Sequence, residues 1–350
     1  MALNSRRKAL EVGSIDAFVG LFPRSPLQRN GPHESDSEIL ELGAGAGYLA
    51  VKADAVVEEI EEGLYASGFE IGWVAAVAPL SDLAAVGAEP LGILVQTTFD
   101  PSRGEDFRLE VARGVRLACE RAGTFVLGGD TNAGRSTWVG GIAVGRIPPG
   151  PLLRRVGARA GDRIFLSGPA GAGNAFAARR LLGPAGSGSS PFMPEPRLAL
   201  GRALLGLASA AIDTSDGFVA ALDEVLRLNG LGAELSGEPL DWLCAEAREV
   251  ASAPGFGAWP LLAGQHGEFE LLFTVSPERI GALERAACAV GARPVEVGRL
   301  IEGADLCWLP RPGHRIPIDS CAARDLSRIA EVSSYVRSLL ALTAAWERAR

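Results

Sequence analysis

The chain has 350 residues, 47% of them hydrophobic and 22% charged, which is enough for about two domains with substantial cores. Its formal charge of -8 offers no basic field to nucleic acid or an anionic membrane, and no apolar run is long enough to span a bilayer. The five cysteines show no CxxC or Cys/His zinc spacing, and their odd number argues against a complete disulfide framework, so a reducing cytoplasm is the expected compartment.

The opening "MALNSRRKALEVGS" is basic and then polar, which predicts no secretory leader. Residues 1–36 are poorly periodic, and "FPRSPLQRNGPHESDS" reads as loop. "YLAVKAD" (48–54) alternates like a strand ending on Asp54, and "EEIEE" reads as a solvated helix face. "FEIGWVAAVAPLSDLAAVGAEP" has helical apolar spacing. Pro79 is expected to kink or divide that helix, because proline lacks the N–H and crowds the preceding turn. A strand at 90–99 and an amphipathic helix at 103–122 follow. "TFVLGGDT" reads as a strand running into a glycine turn at 128–131, and "STWVGGIAVGRI" (136–147) as another strand.

The run "RIPPGPLLRRVGARAGD" marks a domain boundary. Beyond it "RIFLSG" reads as a strand, "NAFAARRLL" as a helix and "GPAGSGSSPFMPEP" as a flexible loop. "SGPAGAGNAF" (167–176) lacks the full dinucleotide-loop spacing and reads as a tight strand-helix turn. "AAID" is a short strand, "DGFVAALDEVLRLNG" a helix with a glycine stop, and "FELLFTV" (269–275) a strand. Ser276 and Pro277 then look like the cap and first turn of a helix. The pattern is an α+β chain of two domains, 1–150 and 151–322, with a helical tail over 323–350.

Several aspartates share one grammar: an apolar segment, then Asp beside Gly, Ser or Thr. They are Asp54, Asp82, Asp130, and the pair Asp213 and Asp216 in "AIDTSDG", with Asp36 in "ESDSEIL" as a further member. Each alone also fits a turn or a helix cap, Asp216 above all. Asp213 follows "AAI" at the end of an apolar strand, and strand ends opening onto helix N-termini are common ligand sites. Carboxylates gathered in one place repel unless a cation neutralises them, and magnesium takes hard oxygen ligands while bridging to phosphates.

"PLSDLAAVGAEP", "LGGDT", "AIDTSDG" and "FELLFT", in that order, resemble the superfamily of aminoimidazole ribonucleotide synthetase, selenophosphate synthetase and thiamine-monophosphate kinase. They are most like the thiamine-monophosphate kinase branch, whose patterns read "NLSDLAAMGA.P", "GGDT", "IDxSDG" and "GGEDYELLFT". The resemblance runs from about residue 35 to residue 310. It implies a two-domain aminoimidazole ribonucleotide synthetase-like fold: an N-terminal ATP- and Mg2+-binding dimerisation domain, and a C-terminal α/β domain. ATP and magnesium would lie in the cleft between them, in a cytoplasmic homodimer. Carried over by position, Asp36, Asp54, Asp82, Asp130, Asp213 and Asp216 match metal-binding aspartates, with Asp130 and Asp216 also at catalytic positions. Gly129, Asp130, Arg155 and Ser215 match nucleotide-contacting positions. Glu61, His266 and Glu268 stand at substrate positions.

Departures from the pattern concern the substrate. Ser37 replaces the second aspartate of an early "GDDAA", with Glu38 as a substitute. Glu61 and Glu62 stand where the kinase carries His-Phe. "QHGEFEL" matches "GGEDYEL" only with one residue deleted, and "IDSCAARDL" lacks the ring-stacking tryptophan. His266 is either a turn histidine or a contact near the phosphoryl acceptor. The expected activity is ATP- and Mg-dependent phosphoryl transfer to a small molecule other than thiamine monophosphate. The alternatives are an ordinary thiamine-monophosphate kinase, an ATP-driven cyclo-ligase or dehydratase of the same superfamily, and a nucleotide-binding scaffold without activity.

Overall fold

A computed structural model describes residues 8–43, 45–183, 190–329 and 331–350. Residues 184–189 of the expected flexible loop lie outside the described residues. Two sheets organise the chain. The first contains β1 (Glu38–Glu41), β2 (Tyr48–Val56), β3 (Glu89–Phe99), β4 (Val126–Ala133) and β5 (Trp138–Ile147), in the order β1-β2-β5-β3-β4. The second contains β6 (Arg163–Leu166), β7 (Ala210–Asp213), β8 (Gly232–Ser236), β9 (Leu271–Val275), β10 (Val295–Ile301), β11 (Leu306–Arg311) and β12 (His314–Pro317), in the order β12-β11-β8-β10-β6-β9-β7.

Among the described residues, four α-helices accompany the first half: α1 (Leu10–Val19), α2 (Glu58–Glu61), α3 (Gly68–Ala85) and α4 (Gly104–Arg121). The second half adds α5 (Ala172–Leu182), α6 (Leu198–Ala203), α7 (Phe218–Asn229), α8 (Ala245–Ala251), α9 (Trp259–Ala263), α10 (Ile280–Ala289), α11 (Ser320–Asp325) and α12 (Val332–Arg348). Among the described residues no helix is long and apolar enough to cross a membrane.

Helix α3 is the central girder. Sixteen of its eighteen residues are buried, and it runs unbroken through Pro79. Proline costs a helix one hydrogen bond and some crowding, yet burial on all sides outweighs a local preference of that size. The expected division at Pro79 therefore does not occur. Helix α4 lies so close to α3 that a Cβ at Gly114 would stand 2.0 Å from the Phe69 carbonyl oxygen, so only glycine fits there. Ser67 caps α3, its hydroxyl accepting from the Glu70 N–H.

Two further expectations change, and a helix stands where none is predicted. Residues 10–19, which show no clear periodicity, form α1. Gly13 and Ser14 give it poor intrinsic propensity, and tertiary contacts hold it: the Leu10 N–H donates to Asp325 Oδ1 at 3.0 Å, and His33 Nε2 meets Asp16 Oδ1 at 2.7 Å. The "GGDT" segment is not a turn but the middle of β4, parallel to β3 with Gln96 opposite Asp130. Ser276 precedes a short 3-10 turn, Pro277–Arg279, and makes no side-chain cap.

Each sheet carries its own apolar core. The tail is built into the second: Tyr335, Leu339 and Trp346 of α12 are buried there. Trp346 stands edge-on to Trp259, 5.4 Å between centroids, and Trp259 in turn meets Trp308 at 5.4 Å and Trp242 at 6.0 Å. The two halves meet where α3 packs on α6 and on β7.

Candidate functional site

The second sheet's edge strand β7 ends on Asp213, and the chain turns over residues 214–217 into α7. Two contacts fix this turn. The Thr214 N–H donates to the Glu270 carbonyl at 2.8 Å, and the Gly267 N–H to the Ser215 carbonyl at 2.9 Å. Gly267 lies flat on the turn, since a Cβ there would be 1.6 Å from the Thr214 oxygen. The Ser215 hydroxyl donates to Asp213 Oδ1 at 2.9 Å.

From the first half come Asp82, on the last turn of α3, and Asp36, in the segment entering β1. The linker brings them to Asp213. The Arg155 N–H donates to the Glu34 carbonyl and the Ala211 N–H to the Arg154 carbonyl, so residues 154–155 lie between the two segments. One carboxylate oxygen from each of Asp36, Asp82 and Asp213 lies within 4.8 Å of the others, and all three residues are buried. Arg155 Nη2 donates to Asp36 Oδ1 at 2.7 Å. Lys52 on β2 reaches Asp82 Oδ1 at 2.9 Å and Asp54 Oδ1 at 3.6 Å.

These charges are poorly satisfied by the protein alone. Asp36 Oδ2, Asp54 Oδ2 and Asp213 Oδ2 are buried with no hydrogen-bond partner. Burial and the neighbouring Asp36 push the Asp213 carboxyl up to about 7. Asp82 is driven well above the usual carboxylate range by burial and by Asp213, with Lys52 opposing. Burial alone would lower the Lys52 ammonium, but Asp82 and Asp54 outweigh it and hold it above its ordinary value. Buried carboxylate oxygens without donors ask for a cation, and an all-oxygen set suits magnesium.

The other expected residues are distributed around this group. Asp216 is exposed and outside the triad, at the mouth of a cleft next to it. It is not the helix cap either: Gly217 occupies that position, with no side-chain cap. Asp130 and Gly129 are exposed on β4, at the far edge of the first sheet. Three strand steps separate β4 from β2, which places Asp130 roughly 14 Å from Asp54 across the sheet. Asp130 Oδ2 accepts from Asn132 Nδ2 at 2.8 Å. Ser37 is buried, its hydroxyl without a partner. Glu38 faces outward and pairs with Arg24 at 3.2 Å, so it does not replace an aspartate of the group.

A cleft of about 280 Å³ opens beside Asp216. Glu58, Glu59 and Glu62 line one part of it, and His266, Arg324 and Arg328 another. Glu61, the expected contact, is exposed and does not line this cleft; its helical neighbours do. Burial pushes Glu59 and Glu62 above their ordinary values. Burial also pushes His266 down to about 4, so its imidazole is neutral at pH 7. Beyond His266 a smaller recess is walled by Phe256, Leu261, Tyr335 and Leu339. Glu268 faces elsewhere. It accepts from the Gly171 N–H at 2.7 Å and from the Thr214 hydroxyl at 3.2 Å, tying two turns together. Burial and Glu270 push it up to about 8. Phe269, between these two glutamates, takes a left-handed φ of 62°, backbone strain of the kind that concentrates at functional sites.

Comparison with known proteins adds an independent line. Residues 34–147 match the family described as AIR synthase related protein, N-terminal domain. Over 291 residues the chain is 31% identical to a thiamine-monophosphate kinase of Methanospirillum hungatei, covering 80% of this chain and 91% of that protein. Among solved structures it resembles tt0281 from Thermus thermophilus, with a TM-score of 0.73 and 28% identity, covering 87% of this chain and all of that one. It also shares the fold of AaThiL complexed with AMPPCP and TMP, with a TM-score of 0.70 and 21% identity, covering 88% and 95%.

Proposed function

Since this chain belongs to the thiamine-monophosphate kinase family, we propose that it transfers the terminal phosphoryl group of ATP to a small phosphomonoester that also carries a positive charge. The observation that carries this reading is the charge layout of the site. Buried, partnerless carboxylate oxygens lie on Asp36 and Asp213, and Asp216, three residues beyond Asp213, lines a cleft shared by three glutamates and two arginines. Thiamine monophosphate, the substrate named by the relatives, has both a cationic ring and a phosphate.

Asp36, Asp82 and Asp213 would hold magnesium, with Asp54 adjoining. The bound ion supplies charge neutralisation at the transferred phosphoryl group. The protein's share is positioning. Arg155 fixes Asp36, Ser215 orients Asp213, and Arg155 and Lys52 add positive charge where nucleotide phosphates would lie. An acceptor phosphate is already anionic near neutral pH, its second pKa being about 6. It needs no strong base, which fits a site whose histidine is neutral and whose exposed carboxylate, Asp216, borders the acceptor cleft. Arg328 would supply the anion recognition that the glutamate segment lacks, beside Arg324, which is itself paired with Asp223 and Glu224.

A homodimer is part of this reading. All eight residues of β4 are exposed, and Phe125, Val126 and Leu127 are 72%, 47% and 56% exposed along that edge. An unpaired apolar edge strand is normally covered, and a second copy seated there would also cover Gly129 and Asp130. No disulfide joins the cysteines among the described residues, which supports a reducing cytoplasm.

The test is ADP release by the purified protein with ATP, magnesium and thiamine monophosphate, with the diphosphate product identified by phosphorus NMR. Acceptor-dependent turnover is expected. Tight nucleotide binding without turnover on any cationic phosphomonoester would leave only a scaffold. A second reading, a different cationic phosphomonoester, is favoured by the three glutamates lining the cleft, and it predicts turnover on that compound but not on thiamine monophosphate.

A further inference from the structure

Lys52 is the one member of the carboxylate group that no sequence motif singles out. The chain has 34 basic residues, and only Lys8 and Lys52 are lysines. Where arginine is the rule, a lysine inside a carboxylate group marks a place that a guanidinium does not suit. An ammonium is a compact point charge without the flat fork of arginine, and in shape it is the side chain nearest to a bare cation. Lys52 Nζ stands 2.9 Å from Asp82 Oδ1 and 3.6 Å from Asp54 Oδ1, with its side chain 26% exposed.

The charge balance points the same way. Fully ionised, as around a cation, Asp36, Asp54, Asp82 and Asp213 would bring four negative charges, while Arg155 and Lys52 return two positive ones. The remainder matches a single divalent cation. Oxygens are left for that ion: Asp36 Oδ2 and Asp213 Oδ2, both buried and without partners, belong to the triad whose reach is within 4.8 Å. Without Lys52 the residual charge would exceed what one ion neutralises.

We propose that the Lys52 ammonium takes the place of one divalent cation in this carboxylate group, so that the nucleotide-free protein loads a single divalent ion per chain on Asp36, Asp82 and Asp213. The inference rests on reading those carboxylates as a metal site. The test counts manganese bound per chain, by electron paramagnetic resonance of the free ion, in wild type and in Lys52→Ser, with folding checked by circular dichroism. Wild type is expected to saturate at one ion and Lys52→Ser at two. Lys52→Met keeps the stem and removes only the charge, and serves where the shorter side chain does not fold. It is expected to bind its ion at least roughly ten-fold tighter than wild type, since a nearby positive charge is gone. Equal counts in wild type and Lys52→Ser, or unchanged or weaker affinity in Lys52→Met, overturn the role of Lys52 while leaving the metal site standing. A wild type that binds two ions also overturns it. A wild type that binds no manganese overturns both.

Discussion

Replacing Asp213 by asparagine separates what the carboxylate does for the fold from what it does for the site. The side chain is 4% exposed, and its carboxyl is pushed up to about 7. An unfolded aspartate titrates near 4. The folded protein therefore holds a proton that the unfolded chain has released throughout the window between those values. The stability tied to that proton is fully present below pH 4, and it is lost as pH rises through 7. Three pH units correspond to about 4 kcal/mol. Asparagine carries no such cost and still accepts the hydrogen bond from Ser215. In chelator at pH 8, Asp213→Asn should therefore be more stable than wild type by about 2–4 kcal/mol, and near pH 4 the two should be nearly equal. Urea denaturation followed by circular dichroism, at pH 4 and pH 8 with EDTA, measures the difference. Magnesium should stabilise wild type and not the variant, and phosphoryl transfer should be lost. A variant equal to or less stable than wild type at pH 8 in EDTA would refute the account of an anion held at a cost for the sake of a cation.

Arg155→Met removes the partner of Asp36, whose side chain is fully buried. A loss of about 3–5 kcal/mol in EDTA is expected, and a loss below about 1 kcal/mol in urea unfolding would show that the pair does not hold the site. Leu127→Arg places a charge on the exposed edge of β4. If a second copy covers this edge as proposed, light scattering should report dimers for wild type and monomers for the variant; a dimeric variant would move the interface elsewhere, and a monomeric wild type would refute the dimer. Trp346→Ala opens a hole in the tryptophan group of the second core, where this ring is 4% exposed. It should cost about 3–5 kcal/mol, and an unchanged thermal melt would show that the tail is dispensable.

Motifs point to the site more surely than periodicity does. Asp36, Asp82 and Asp213 stand out by the residues around them, and the structure brings those three together. Asp130 shares the same local grammar but sits at the far edge of the first sheet, because a parallel partner of β3 is the outermost strand. Local sequence does not encode which edge of a sheet a strand occupies. Pro79 misleads for a related reason: propensity is a local term of a few kcal/mol, and burial of nearly the whole helix is larger. The shift from Glu61 to Glu58, Glu59 and Glu62 is a matter of which side of one short helix turns inward, and four consecutive helical residues are too few to show a period. Glu268 is visible in its motif, but its partners, Gly171 and Thr214, come from distant segments. Lys52 is legible in the sequence through its scarcity against arginine, a signal that a whole-chain composition hides because it carries no position.

The three carboxylates also bear on the order of assembly. Asp36 and Asp82 belong to the layer of the first sheet, while Asp213 terminates a strand of the second. Roughly 130 residues of chain lie between Asp82 and Asp213, a long closure whose entropy must be met by everything folded in between. Neither half alone presents all three oxygens, so a chain with one finished domain has no complete carboxylate triad. Under the proposed metal reading, ion capture would come at the last docking step: it would register that both layers are complete and correctly joined, and would then act as a clasp between them.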